Sequence, residues 1–326
     1  MTPKLYIAPV RGITDMIYRN AFAKCFDGID VAMTPFLTVI KGNQLKKLQL
    51  DELRPENNSL PIIPQIIGKS ADNFLTLSDT LHDIGIEEIN WNLGCPHPTM
   101  TKKRQGSGLL THPDLIEAFL EKVCSKIKTK LSVKVRLGLE SPGELERLIP
   151  IFNQFPIVEM TIHPRLGKQM YKGKVNLDGF ENALALSKLP VVYNGDIFSK
   201  ADFERISSRF PQINKFMLGR GLFANPFLAE EIKGSAEQSN EERMNRLKAF
   251  HNELLERYRH RLSGDAHLIR KMCEHWQYLA ESFPNGKQFY KKLKKVKSLE
   301  QYDNVLRMNH GEHGGSQNAS HFSNGK

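Results

Sequence analysis

Cysteine is scarce in this chain. Four stand in 326 residues, Cys25, Cys95, Cys124 and Cys273, far apart and with no C-x-x-C pair. That spacing points to neither a zinc site nor a disulfide framework, so each thiol is read singly. Long apolar runs are missing too. No stretch approaches the roughly 18 consecutive apolar residues of a membrane span, and the apolar run in "MTPKLYIAPVRG" is too short for a signal peptide. A cytoplasmic protein with no membrane partner and no metal is expected. Acidic residues are the third shortage: 36 Asp and Glu against 46 Lys and Arg leave a net charge of +10. What is plentiful is apolar content, 40% of the residues, enough for one large core or a large domain followed by a small one.

The positive surplus is uneven. From Lys233 to Met308 there are 16 Lys and Arg against 10 Asp and Glu, a net +6, and "KQFYKKLKKVK" (Lys287 to Lys297) is the densest part. Clustered positive charge suggests a polyanionic partner, because each neutralised phosphate releases a counterion. A solvated lysine-rich helix face has the same composition.

Eight short β-rich runs alternate with amphipathic segments: Leu5 to Ala8, Ile29 to Phe36, Pro61 to Gly68, Glu87 to Leu93, Leu131 to Leu137, Ile157 to His163, Pro190 to Asn194 and Lys215 to Leu218. Between them, "HPDLIEAFLEKVCSKI" repeats apolar residues at helical spacing behind a proline, and "SKADFERISSRF" is similar. Eight alternations over about 230 residues predict an α/β fold, a (β/α)8 TIM barrel over residues 1–235. The segment Leu37 to Leu60 is the weakest link in that count. After Asn225-Pro226 the period is helical throughout, which predicts a small all-α bundle over 240–308. The tail 309–326, rich in Gly, Ser, Asn and His, is expected to be disordered, with a weak metal-binding alternative for its three histidines.

A barrel places chemistry at the carboxyl ends of its strands. Pro9, Val10 and Arg11 end the first, Gln65 lies in the third, Asn92 and Cys95 end the fourth, and Lys134 and Arg136 lie in the fifth. His163 and Arg165 end the sixth, Asn194, Gly195 and Asp196 the seventh, Gly219, Arg220 and Gly221 the eighth. In "LSVKVRL" the period of two puts Lys134 and Arg136 on one face, opposite Val133 and Val135. If the valines meet the outer helices, two cations point inward and call for an anion, since an uncompensated buried charge costs several kcal/mol. The glycines after strands seven and eight suit a phosphate held by backbone N–H groups, or are ordinary turn glycines. Gln65 alone could equally be a core amide with its partners satisfied.

Cys95 stands between Gly94 and Pro96 at a strand end, whereas the other three cysteines sit in helix-like segments and read as buried structural thiols. As a nucleophile it would want a partner base, and only His97 is near in sequence. As a general acid it needs none: an unperturbed thiol, with a pKa of about 8.5, is protonated at neutral pH.

The residues "NLGCP", then Met100, then Gly106-Ser107, resemble the signature of the tRNA-dihydrouridine synthases of bacterial type, which are flavin enzymes. "APVRGITD", "PIIPQIIG", "SVKVRLG", "TIHPR", "VVYNGDI" and "MLGRGLFANPF" follow the family's order, and the resemblance runs from Leu5 to about Met308. It implies FMN across the barrel mouth, with Pro9, Val10 and Arg11 beside the ring and Gln65 and Lys134 at its polar edge. His163, Asn194, Gly195, Asp196, Gly219 and Arg220 would hold the ribityl chain and phosphate. NADPH or NADH would be the reductant, hydride would reach C6 of a uracil, and Cys95 would protonate C5. Asn92, Arg136 and Arg165 would hold the substrate base and its backbone. The partner implied is tRNA, gripped by the bundle through residues such as Lys291, Lys292, Lys294 and Lys295, with the enzyme a monomer.

Three positions depart from the family's usual pattern: Arg11 replaces an acidic or small residue, Trp91 an aliphatic one, and Pro164 the glycine of His-Gly-Arg. Strand alternation turns Trp91 away from Asn90 and Asn92, toward the outer helices. Two other functions are compatible with parts of the sequence. An FMN barrel acting on a free small molecule, like dihydroorotate dehydrogenase, would have no need of the basic bundle. A non-catalytic RNA-binding protein would have no need of Cys95 or Lys134.

Overall fold

The structure, a computed structural model, describes residues 2–38, 45, 47–283 and 285–311. Its ten strands are β1 (Lys4–Ile7), β2 (Val31–Met33), β3 (Leu37–Thr38), β4 (Ile62–Ile63), β5 (Gln65–Ile67), β6 (Glu88–Leu93), β7 (Lys130–Gly138), β8 (Ile157–Leu166), β9 (Val191–Tyr193) and β10 (Lys215–Leu218). All pairings are parallel, in the order β3-β5-β6-β7-β8-β9-β10-β1-β2-β4. Because β2 pairs with β4 and β3 with β5, the two ends of that order are halves of the same two strands, and the ring closes as an eight-stranded barrel.

The extra breaks have a cause. The run Pro61 to Gly68 splits into β4 and β5, with Pro64, which has no N–H for the ladder, between them, and past the end of the run Ile29 to Phe36 the chain adds β3 after β2. Across the gap the Thr34 N–H donates to the Ile63 carbonyl at 3.0 Å, and the Gln65 N–H turns to the Thr34 hydroxyl at 3.3 Å. The register shifts with it, from Met33 opposite Ile63 to Leu37 opposite Ile66. In the weak segment Leu37 to Leu60, residues 39–44 and 46 lie outside the described ones. The described remainder holds β3, a short helix Lys47–Asp51 and a 3-10 turn Pro55–Asn57. It is anchored to the first helix, Met16–Cys25, by the buried Arg19, whose guanidinium donates to Asn58 Oδ1 at 2.6 Å, and by Asn20, which donates to the Asn57 carbonyl at 2.7 Å.

The strand alternation read from the sequence holds. Val133 and Val135 join the core between sheet and helices, while Tyr6, Ala8, Val31, Met33, Ile63, Val192 and Met217 form a separate cluster within the barrel. Trp91 is fully buried against the outer helices, its ring stacked on Phe119 at 3.9 Å and its indole N–H donating to the Gly68 carbonyl at 2.9 Å. Cys25, Cys124 and Cys273 all lie in helices.

Beyond the barrel, four helices, Asn240–Arg261, Asp265–Leu279, Gly286–Leu293 and Leu299–Gly311, account for the bundle. The first starts at Ser239 with a reciprocal capping box to Glu242. The last runs to Gly311, so residues 309–311, expected to be disordered, are helical; 312–326 lie outside the described residues, and the metal-binding alternative for the tail's histidines falls largely there. Asn309 to Gly311 continue the helical hydrogen bonding, which the low apolar content of the tail does not signal. The bundle packs on the first helix through Phe250, whose ring lies 5.6 Å from Tyr18, 6.2 Å from Phe22 and 5.2 Å from Phe26. No helix among the described residues is long and apolar enough to cross a membrane.

Candidate active site

A cavity of about 90 Å³ opens at the carboxyl ends of the strands. Its lining includes Pro9, Val10, Lys134, His163, Asn194, Gly195, Asp196, Gly219 and Arg220. Nine of the eleven residues expected around a cofactor are thus brought together from five strand ends. Arg11 and Gln65 are not in the lining. Arg11 is exposed and close enough to Cys95 to influence its thiol, and Gln65 is fully buried one layer down.

Lys134 is held by one neutral partner: its ammonium donates to Asn194 Oδ1 at 2.7 Å, and Asn194 Nδ2 donates to the Met217 carbonyl at 2.8 Å. Burial, helped by the neighbouring Arg136 charge, brings the Lys134 pKa down to about 7. His163 is pushed well below the usual range by burial and by Arg136, Lys134, Arg165 and Arg220, so its imidazole is neutral at pH 7. Arg165 can only donate, so His163 Nε2, 3.1 Å from it, is the acceptor and Nδ1 carries the proton.

The arginines expected to touch substrate are engaged within the protein. Arg136 is buried, and its guanidinium donates to the carbonyls of Gly94 (3.1 Å), Leu166 (2.8 Å) and Met170 (2.6 Å). It ties the loop bearing Cys95 to the loop after β8. Arg165 makes a bidentate pair with Asp196 at 2.5 and 2.9 Å and donates to the Gly173 carbonyl at 2.7 Å; Arg220 reaches the same carboxylate at 3.0 Å. The sequence pattern of two inward cations calls for an anion. Arg136 answers with backbone carbonyls instead, while Lys134 keeps only an amide.

Gln65 and Asn92 belong to one chain of amides. Gln65 Nε2 donates to Asn90 Oδ1 at 2.8 Å, and Asn92 Nδ2 donates to Gln65 Oε1 at 2.6 Å. Asn92 Oδ1 accepts the N–H groups of Gly94 (3.1 Å) and Cys95 (2.9 Å), which shapes the turn at the thiol. The Cys95 carbonyl receives both the N–H (3.0 Å) and the hydroxyl (3.1 Å) of Ser107. Gly106, at φ +58°, passes so close that a Cβ there would lie 2.5 Å from the Cys95 carbonyl oxygen. This is the physical content of the spacing from Cys95 to Gly106-Ser107. His97 is no partner base: it is exposed, and its Nδ1 accepts the Thr99 N–H at the start of a short helix. Burial raises the Cys95 pKa above its ordinary value, against smaller opposing effects of the His97 N–H, Arg136 and Arg11, so the thiol is protonated at neutral pH.

Two lining residues have no place in the sequence reading. Tyr171 and Phe198, 53% and 42% exposed, stand at the cavity. Arg220 lies over both rings, and Arg136 lies 5.3 Å from the centre of Tyr171. Tyr171 falls in an irregular loop with no periodicity; the usable signal was an aromatic among cations in "GKQMYKGK". Pro164, the departure from His-Gly-Arg, lies inside β8, which continues to Leu166. Its carbonyl accepts the Asn176 N–H at 2.8 Å. Lys291, Lys292, Lys294 and Lys295 are far from the cavity in sequence and exposed at the end of the third bundle helix.

The residues present fit a phosphate-bearing flavin. The enclosed volume, lined by Gly195, Gly219 and Arg220, would take a phosphate group. Beside Gly195, the buried Tyr193 hydroxyl has no partner among the described residues. Among the described residues no group of His, Cys, Asp and Glu could hold a metal ion.

Likenesses to solved structures concern the fold. Morphinone reductase in complex with tetrahydroNAD matches with a TM-score of 0.51 at 7% identity, covering 74% of this chain and 90% of that one. Histamine dehydrogenase from Rhizobium sp. 4-9 matches with a TM-score of 0.55 at 11% identity, covering 77% and 49%. In sequence, the chain is 27% identical to tRNA-dihydrouridine synthase B of Pasteurella multocida over 73% of its length and 71% of the relative's. It is 26% identical to tRNA-dihydrouridine(16) synthase of Neisseria meningitidis, over 71% of each chain. The model of the family described as Dihydrouridine synthase (Dus) matches residues 6–312. The chain belongs to the dihydrouridine synthase family.

Proposed function

We propose that this protein is an FMN-dependent tRNA-dihydrouridine synthase of the cytoplasm, acting as a monomer on a uridine of the D-loop. The observation that carries the chemistry is Cys95: a thiol kept protonated by burial, its backbone fixed just after β6 by Asn92 and Ser107, with no base beside it among the described residues. The chemistry FMN would supply when bound, with NADPH or NADH as reductant, is a hydride for C6 of the uracil ring. Cys95 Sγ–H gives its proton to C5, completing the C5–C6 single bond. Lys134 holds positive charge at the cavity floor, where an anionic group is stabilised. Asp196, gripped by Arg165 and Arg220, fixes the two arginines and leaves His163 Nδ1–H as a donor. Gly195, Gly219 and Arg220 line the phosphate end, and Arg136 holds the Cys95 loop in register. Asn92 has a second N–H for the uracil.

The bundle supports tRNA as substrate, since a free small molecule would leave its exposed lysines without a role. The target uridine must leave its packing to reach a barrel mouth. The relatives named for position 16 support the D-loop.

The test incubates the purified protein with NADPH and an unmodified tRNA transcript, then analyses nucleosides. Dihydrouridine is expected with the wild type. The Cys95→Ala variant is expected to keep its yellow colour and its tRNA affinity while losing most product. A colourless protein that takes up no added FMN, or a variant with full activity, would remove this reading.

A further inference from the structure

The bundle reaches the wall of the cavity. Helix Asp265–Leu279 lies beside the turn that follows β1, and Lys271, its side chain 14% exposed, donates to the Gly12 carbonyl at 2.5 Å and pairs with Asp15 Oδ2 at 3.1 Å. From helix Asn240–Arg261, the Tyr258 hydroxyl donates to Asp15 Oδ1 at 2.7 Å. His275 Nε2 stands 3.2 Å from that hydroxyl, and as the oxygen's own proton is committed to Asp15, His275 is the donor. The packing is close: Gly12 is at φ +84°, and a Cβ there would come 3.3 Å from the Glu274 carboxylate.

The same turn is closed on itself. The Val10 N–H donates to the Thr14 hydroxyl at 2.9 Å, and the Ile13 and Thr14 N–H groups donate to the Val10 carbonyl at 3.0 Å each. Asp15 also caps the first helix, accepting the Tyr18 N–H at 3.0 Å. Burial pushes the Asp15 carboxyl up, but Lys271, the Tyr18 N–H and the Tyr258 hydroxyl outweigh it and hold it below the usual range. Among the described residues Lys271 is the cation that pairs with the Asp15 carboxylate, whose side chain is 31% exposed. That cation comes from the bundle, and Pro9 and Val10, at the head of the turn, line the cavity.

We propose that Lys271 is a positioning residue for the cofactor cavity: by holding the Gly12 carbonyl and the Asp15 carboxylate it fixes the Val10–Asp15 turn, and with it the wall that Pro9 and Val10 present to the flavin. This rests on the flavin reading above. The catalytic barrel is then incomplete without the bundle, which supplies part of the support for the flavin as well as a grip on RNA.

The test compares full-length wild type with Lys271→Met by hydrogen exchange of the FMN-free protein and by FMN titration. In the variant, exchange at Ile13 and Thr14 is expected to quicken and FMN affinity to fall by about tenfold, the scale of one lost charge-assisted hydrogen bond. Exchange in helix Leu299–Gly311 should not move, and Lys271→Arg should restore most of the affinity. Unchanged exchange and FMN affinity in Lys271→Met overturn the proposal while leaving the flavin reading intact. Wild-type protein that binds no FMN overturns both. If Lys271→Met does not fold, Tyr258→Phe removes a single donor to Asp15, and the same two measurements should shift in the same direction by less. No shift there overturns the proposal too.

Discussion

Lys134 brings a charge into a barrel whose described residues place no carboxylate against it, and its pKa is lowered to about 7 by burial and then by Arg136. An anion bound beside it favours the charged form and pulls that pKa back up. Binding should therefore take up a proton near neutrality, and affinity should fall as pH rises above about 7. FMN titrations by calorimetry in two buffers of different ionisation heat check this: the apparent enthalpy should differ between buffers, and Lys134→Met should abolish the part of the difference due to Lys134. Cys95 is shifted the other way by the same cause, burial, because for a thiol the charged form is the deprotonated one. The inward face of Lys134 and the placement of Cys95 were legible in the sequence, from a period of two and from two helix-breaking neighbours. The partners of Arg136 and Arg165 were not. Arg136 uses carbonyls 30 to 42 residues away and Arg165 a carboxylate 31 residues on, and no local pattern encodes such pairs.

At the level of elements, each of the eight β-rich runs holds strand, β10 has the expected bounds, Lys215–Leu218, and the all-helical period after residue 240 resolves into four helices, the last two dividing one continuous helical stretch of sequence. The misses lie where local chemistry overrides period. Pro64 splits two paired strands, and β8 runs on through Pro164 to Leu166. The third bundle helix shows its division of labour: Phe289 and Leu293 are buried, while Lys291, Lys292, Lys294 and Lys295 are exposed. Replacing the four lysines with glutamine should leave the helix folded and weaken tRNA binding. The slope of log affinity against log salt should shrink by about 1 for each lysine–phosphate pair removed. Filter binding over a salt series measures it, and an unchanged slope would make the run a solvated face only.

For the whole molecule, the barrel and the bundle share a core. Tyr18 and Phe22 of the first helix and Phe26 just after it are buried, with Phe250 against all three and His275 stacked on Tyr18 at 5.5 Å. A chain cut after residue 235 would carry the cavity residues yet expose this aromatic face, and is expected to be poorly soluble; a yield of monodisperse, soluble barrel would contradict that. The shared face also imposes an order in time. A ribosome makes Phe22 228 residues before Phe250. At about 5–20 residues per second the first helix waits on the order of 10 to 45 s for its cover. During that interval the aromatic face of Tyr18, Phe22 and Phe26 has no bundle to cover it.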